Sequence, residues 1–235
     1  GVSWGWGWGG VAWGGGGGGG GDQDFNLFNR EIFTFKQIKE QQTSAEIDAL
    51  KQTYKQHWEK WKALNLAITQ GLPAELGITK PKIESWTNGW NLRSHFWAAY
   101  RSEQRQAENA CLALLLNKKQ FQVYLMFQHY KSEERAGSVV AYNQLLNRLE
   151  AWSQTIDCEG YYIWPQEEHE LVDHLPLKDY LADEKQRKIL EERIGNRSFQ
   201  IGKLWFATEK LETIEEKSCQ ALQELAPLYN ALSEK

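Results

Sequence analysis

The densest group of side chains that could do chemistry is the run Glu167-Glu168-His169-Glu170, followed by Asp173 and His174. Carboxylates and imidazoles bind metal ions, and a zinc-protease helix carries two histidines four residues apart so that both face one ion. His169 and His174 are five residues apart, about 140° around a helix, so they cannot share an ion in that way. We therefore interpret this run as a solvated acidic turn, with half a metal site as the alternative.

A second group could serve metal-dependent hydrolysis. Asp157 and Glu159 precede a short strand candidate and Lys203 lies on a late one, and a nuclease would use such residues on adjacent strands to hold Mg²⁺ and polarise water. Carboxylates at strand ends are also common in turns. No G-x-S-x-G elbow, G-x-G-x-x-G loop or Walker loop occurs after residue 21. We therefore assign no catalytic residue, metal or cofactor and favour a function without catalysis.

A third group is basic and aromatic. If residues 92–101 and 121–130 are strands, their alternation places guanidinium and aromatic side chains on the side opposite the core. Such side chains stack on splayed bases and pair with phosphates. Helices over this face would instead make Trp97 and Tyr124 ordinary core. The residues predicted to bind nucleic acid, including two lysines at a hairpin tip, are Arg93, His95, Trp97, Arg101, Lys118, Lys119, Tyr124 and Tyr130.

The elements that position this face follow from hydrophobic periodicity. Apolar residues at three- and four-residue spacing predict a helix over about 24–41, and a capping box at Thr43 and Glu46 begins a second helix through residue 64. Together they predict an N-terminal helical hairpin. Further helices are expected over 139–153, over a strongly charged segment at 177–194, and over 211–232, where Pro227 should end or kink the helix.

Strands are predicted over 92–101, 110–116 and 121–130, with two later candidates at 161–164 and 199–206. The first three have short connections, which is typical of an antiparallel meander. The fold class is therefore α+β, with an antiparallel β-meander of three to five strands packed by amphipathic helices.

Residues 1–21 contain thirteen Gly and four Trp, whereas the other 214 residues contain seven Gly. We interpret this tract as an artefact or an unassigned stretch of chain, with a flexible low-complexity tail as the alternative. Residues 22–88 are expected to form the helical hairpin and a loop, and residues 89–235 the α+β core. The span 22–235 has the length of one domain.

The formal net charge of −4 disfavours a protein that coats nucleic acid or membrane by charge alone, although it allows a local basic patch. Three widely spaced cysteines fit reduced thiols, and no segment after residue 21 is a membrane span, so we expect a soluble cytoplasmic protein. The predicted function is non-enzymatic binding, with nucleic acid as the preferred ligand. One alternative is a metal-dependent nuclease or hydrolase that uses Asp157, Glu159 and the run from Glu167 to His174. The other is an assembly subunit that binds a protein partner through the aromatic stripe around Trp58 and Trp61.

Overall fold

The structure is a computed structural model, and it describes residues 23–167, 170–171, 173–209 and 211–233. The Gly/Trp tract, Glu168 and His169 lie outside the described residues. The described strands, in chain order, are β1 (Lys82–Ile83), β2 (Phe96–Tyr100), β3 (Ala110–Leu116), β4 (Gln120–Phe127), β5 (Tyr161–Pro165), β6 (Leu175–Pro176) and β7 (Phe199–Phe206).

These strands form one sheet in the order β1-β2-β3-β4-β7-β5-β6, and every pair is antiparallel. The predicted α+β class is confirmed. The predicted three to five strands fall short of the seven in the described chain. The edge strands β1 and β6 have two residues each, so they are too short to produce a readable alternation. The meander also ends at β4, because β7 inserts between β4 and β5.

The helices pack on one face of this sheet. Their core includes Tyr54, Trp61 and Leu225, all fully buried, and the Trp61 ring lies 6.2 Å from those of Phe96 and Phe121. The described helices are α1 (Gln23–Asn26), α2 (Phe35–Gln41), α3 (Ser44–Gly71), α4 (Val139–Asn143), α5 (Leu149–Ser153), α6 (Leu177–Ala182), α7 (Glu184–Ile194) and α8 (Ile214–Ala231).

The predicted capping box is present at the start of α3. Thr43 Oγ1 accepts a hydrogen bond from the Glu46 backbone amide at 3.2 Å, and the Thr43 amide donates to Glu46 Oε1 at 3.1 Å. The helix continues seven residues beyond the predicted end. The described helices include none long and apolar enough to cross a membrane.

The single helix predicted over 24–41 is wrong, because α1 and α2 are separated by an extended segment. Phe33 O accepts from the Leu92 amide at 2.8 Å, and the Phe35 amide donates to Trp90 O at 2.9 Å. Pairing with residues 90–92 satisfies the backbone groups that a continuous helix would have bonded internally. Of the predicted helical hairpin, the structure contains only the short α2 followed by the long α3.

Two other helix predictions need correction. The charged segment is two helices, because the Asp183 carboxylate accepts from the amides of Lys185 and Gln186 and so begins a new helix at residue 184. Pro227 does not end α8, which continues to Ala231. The segment 139–153 is helical as predicted, with a 3₁₀ stretch over Gln144–Arg148.

The opposite face of the sheet carries a second, smaller apolar cluster. All of its members come from strands, and it includes Trp97, Leu115, Tyr124 and Trp164. Gly202 of β7 pairs with Tyr124 on one side and Tyr162 on the other. This face, which we call the cleft face, holds the candidate site.

Candidate functional site

A cleft of about 750 Å³ opens on the cleft face. Its floor is formed by side chains of the central strands, among them Trp97, Tyr124 and Gln200. Loops on both sides form its walls. Volumes of about 300–1,000 Å³ are typical of small-ligand sites, so the cleft has room for one ligand of nucleotide size.

Glu170 brings a carboxylate to this floor. Its Oε1 accepts from Gln200 Nε2 at 2.6 Å, and its Oε2 accepts from Trp164 Nε1 at 2.8 Å and from Gln122 Nε2 at a longer 3.5 Å. The side chain is only 15% exposed. Burial raises the pKa of Glu170, while the hydrogen bonds from these donors oppose that rise. Neutral donors therefore hold an acidic group at the bottom of the cleft.

His174 packs beside this carboxylate. Its ring stacks on Trp164 with centroids 4.1 Å apart and planes 1° apart, and its side chain is 1% exposed. Burial lowers the pKa of His174 to about 3, so the imidazole is neutral at pH 7. The Gln120 amide nitrogen, 3.2 Å from His174 Nε2, can donate to it, and it also donates to Gln122 Oε1 at 2.7 Å. The network fixes the position of Glu170 without supplying a positive charge.

One wall carries Glu84, Arg93 and His95. Glu84 Oε1 lies 3.6 Å from Arg93 Nε and 3.5 Å from His95 Nε2. The Arg93 side chain is 29% exposed, and its Nε also donates to Ser85 O at 3.3 Å. The guanidinium is thus held at the wall of the cleft while part of it remains open to solvent.

The other wall follows β4. Tyr130 is 72% exposed, with Lys131 Nζ 5.5 Å from its ring centroid. His129 Nε2 lies 2.8 Å from Ser198 Oγ, and burial lowers the pKa of His129. An exposed aromatic ring on this wall is available to stack on a ligand.

Six of the eight predicted binding residues line this one cleft: Arg93, His95, Trp97, Lys118, Tyr124 and Tyr130. They do not form an open platform, because Trp97 is 8% exposed and Tyr124 1%. Trp97 Nε1 donates to the Tyr124 hydroxyl at 3.2 Å, which ties the two rings together on the floor. Burial raises the pKa of Tyr124 well above its usual value, so its hydroxyl stays neutral.

The other two predicted residues do not line the cleft. Arg101 is buried and donates to Glu108 O, Asn109 O and Gln128 Oε1 at 2.8, 3.3 and 2.8 Å. It therefore supports the turn before β3. Lys119 forms an ion pair with Asp173 at 2.9 Å and donates to Leu171 O, which ties the β3–β4 hairpin to the loop after β5.

The residues named for a nuclease do not come together. Asp157 and Glu159 precede β5 and the acidic run follows it, so the five residues of the strand, about 17 Å, separate them. Glu159 pairs with Lys178 at 2.6 Å, and Lys203 lies against the Tyr161 and Trp205 rings of the helix-covered face. No group of three or more metal-binding side chains occurs within the described part of the chain.

The aromatic stripe proposed for a protein partner packs within the chain. Trp61 is fully buried, and Trp58 is half-buried with its Nε1 donating to Glu84 O at 2.9 Å. The surface named for that alternative is therefore occupied by the chain's own sheet.

Two residues that line the cleft are not predicted from the sequence as binding residues: Glu170 and Gln200. The sequence marks Glu170 only as part of an acidic run that could supply half of a metal site or serve a nuclease, and no motif marks Gln200. The available signal was polar residues inside otherwise apolar strands, because Gln122 and Gln200 are buried and buried polar side chains need partners.

Two comparisons place the chain among known proteins. A protein-family model matches residues 21–232. An uncharacterized protein of Haemophilus influenzae is 38% identical over 154 residues, which cover 65% of this chain and 70% of that protein. The chain belongs to the protein family whose model matches residues 21–232.

Proposed function

We propose that this protein is a non-enzymatic binding module whose cleft takes one unit of a single-stranded nucleic acid. The observation that carries the proposal is the convergence on one cleft of an exposed aromatic ring, Tyr130, and the basic side chains Arg30, Arg93 and Lys118. Proteins that bind single strands combine stacking on aromatic rings with positive charge along the backbone.

The size of the cleft favours an extruded base over a duplex. A base reaches a concave site only when it is unstacked, and single-stranded segments present their bases that way. The floor residues Trp97 and Tyr124 border such a base, while Tyr130, which lines the cleft and is 72% exposed, is available for a neighbouring base.

The charges around the cleft favour a few phosphate contacts. Three carboxylates also line it, and two of them are paired: Glu84 with Arg93 and His95, and Glu167 with Arg193 at 2.8 Å. Single strands give a salt slope of about 0.7 per neutralised phosphate, so three basic residues set an upper limit of roughly 2. The acidic chain as a whole would weaken any more extensive coating.

The test is fluorescence anisotropy with a labelled 12-nucleotide single strand containing all four bases, titrated at several salt concentrations. We expect binding that weakens with salt. Arg93→Ala and Lys118→Ala should each reduce affinity and lower the salt slope by about 0.7. The matched control is Lys55→Ala, which removes an exposed charge from α3 on the other side of the sheet.

Two results would overturn the proposal. One is the absence of binding at low salt, and the other is an equal loss of affinity in Lys55→Ala. The same samples, incubated with Mg²⁺ or Mn²⁺ and run on a denaturing gel, separate binding from cleavage. Shortening of the strand only in the presence of the metal ion would favour the nuclease alternative.

A further inference from the structure

The carboxylate of Glu170 has acceptor capacity that the chain does not use. A carboxylate can accept about four hydrogen bonds. Glu170 receives two short ones, from Gln200 and Trp164, and a long one of 3.5 Å from Gln122. One acceptor position on Oε1 therefore remains for a ligand in the cleft that Glu170 lines, and the second position on Oε2 holds only the 3.5 Å contact from Gln122, which a shorter hydrogen bond from a ligand can replace.

Glu170 also lacks a strong counter-charge in the part of the chain that the structure describes. The basic group there within 4 Å is His174, whose Nε2 lies 3.9 Å from Oε2, and this imidazole is neutral because burial lowers its pKa to about 3. His95 on the cleft wall also lowers the pKa of Glu170, but less than the hydrogen bonds do. A buried carboxylate without a cation is costly unless hydrogen-bond donors compensate. A ligand that brings N–H donors to Glu170 would add to the compensation that Gln200 and Trp164 already give.

We propose, resting on the proposed function, that Glu170 accepts the two adjacent N–H groups of a guanine base, so that the cleft prefers guanine over the other bases. Guanine presents a ring N–H and an amino group side by side on its Watson–Crick edge. Adenine and cytosine place an acceptor nitrogen beside the amino group, and thymine has one N–H between two carbonyls. Only guanine therefore offers a donor to each oxygen of one carboxylate.

The surroundings of Glu170 suit a flat base. Trp164, which donates to it, lies with its ring centroid 5.9 Å from that of Tyr124, and Tyr124 and Trp97 are linked by a hydrogen bond on the same floor. Each ring is held by its neighbours, so the carboxylate that the edge of a bound base would meet is held in a fixed position. Preorganised contacts of this kind keep the cost of ordering on binding low.

The experiment uses the full chain and four labelled strands of twelve nucleotides, each of thymidine with one central guanine, hypoxanthine, adenine or cytosine. A good paired contact discriminates by roughly 5- to 150-fold. We expect guanine to bind more tightly than adenine or cytosine by a factor in this range. Hypoxanthine, which lacks only the amino group, should fall between guanine and adenine.

Glu170→Gln tests the residue itself, because an amide presents one acceptor and one donor where the carboxylate presents two acceptors. The ratio of guanine to adenine affinity should fall close to one. The matched control is Glu224→Gln, which changes a half-buried carboxylate on the helix-covered face that accepts from the Tyr161 hydroxyl at 2.7 Å. The ratio of guanine to adenine affinity in this variant should equal that of the wild type.

The outcomes are distinguishable. Equal affinity of the wild type for all four strands overturns the guanine preference and leaves the proposed function standing, whereas failure to bind any strand removes both. A preference for guanine that persists in Glu170→Gln also overturns the assignment of Glu170 as the residue that contacts the base. If that variant does not fold, as judged by circular dichroism, the wild-type ratio of guanine to hypoxanthine decides, and a ratio of one refutes the paired-donor contact.

Discussion

Gly202 is the position at which an added Cβ would meet the closest atoms among the described glycines, and we predict that Gly202→Ala strongly destabilises the protein. The residue lies in the middle of β7, paired with Tyr124 and Tyr162 of the neighbouring strands. A Cβ at this position would lie 2.2 Å from Val123 O and 2.4 Å from Tyr124 Cβ. Both contacts involve groups fixed close to the backbone, so no flexible side chain can move aside.

The size of the effect follows from these distances. Real Cβ atoms essentially never approach closer than 3.0 Å, so β4 and β7 must move apart locally by at least 0.8 Å. Such a shift stretches a ladder hydrogen bond of about 2.9 Å beyond 3.5 Å. Losing two such bonds costs about 2 kcal/mol and overpacking adds about 1–3, for a total of about 3–5 kcal/mol. In a chain of this length the Tm should fall by about 6–20 °C.

Thermal unfolding followed by circular dichroism measures this shift. The control is Gly137→Ala, at which a Cβ meets no atom within 4 Å but the backbone φ is +99°. That variant reports only the backbone strain, about 1–2 kcal/mol. A Gly202→Ala melting temperature equal to that of the wild type, or lowered no further than in Gly137→Ala, would refute the close-contact reasoning.

Three further predictions concern other parts of the fold. Thr43→Ala should cost about 1 kcal/mol in a denaturant titration because it removes the capping box of α3, and an unchanged midpoint would contradict this. Tyr142→Phe should cost about 1 kcal/mol because the hydroxyl donates to Phe199 O at 2.8 Å, and a stability equal to the wild type would count against that bond. Burial lowers the pKa of His174 to about 3, so between about pH 6.5 and pH 3 the unfolded chain binds a proton at this residue that the folded chain does not. Through His174 the free energy of unfolding should therefore fall by about 1.4 kcal/mol for each unit by which the pH is lowered. His174→Gln should remove this contribution and leave the smaller one from His129, whose pKa is also lowered by burial, and an identical pH dependence in the variant would refute the role of His174.

The central strands could be predicted because their local pattern agrees with their environment. Residues 110–116 are apolar throughout and form β3, which is buried on both faces, and the alternation after residue 121 corresponds to β4. The N-terminal segment could not be predicted in the same way. Its apolar spacing fits a helix, but the backbone of Phe33 and Phe35 bonds with residues 90–92, and sequence spacing carries no information about that distant partner.

The candidate site was predictable only in part for a similar reason. Arg93, His95 and Trp97 lie next to or on a strand whose alternation indicates which side they share. Glu170 and Gln200 meet across 30 residues of chain, and they do so only because β7 pairs with both β4 and β5. That insertion follows from tertiary packing and not from any local pattern.

The two faces of the sheet differ in a way that stability alone does not explain. On the helix-covered face β4 contributes Phe121, Val123 and Leu125, whereas on the cleft face the same strand contributes Gln120 and Gln122, both fully buried. Gln120 Oε1 has no hydrogen-bond partner within the described residues, and an unpaired buried polar atom costs about 1–3 kcal/mol. An apolar residue in place of Gln120 would avoid this cost. Gln120 donates to Gln122, and Gln122 in turn donates to Glu170, so this polar pair connects the buried side of β4 to the carboxylate in the cleft.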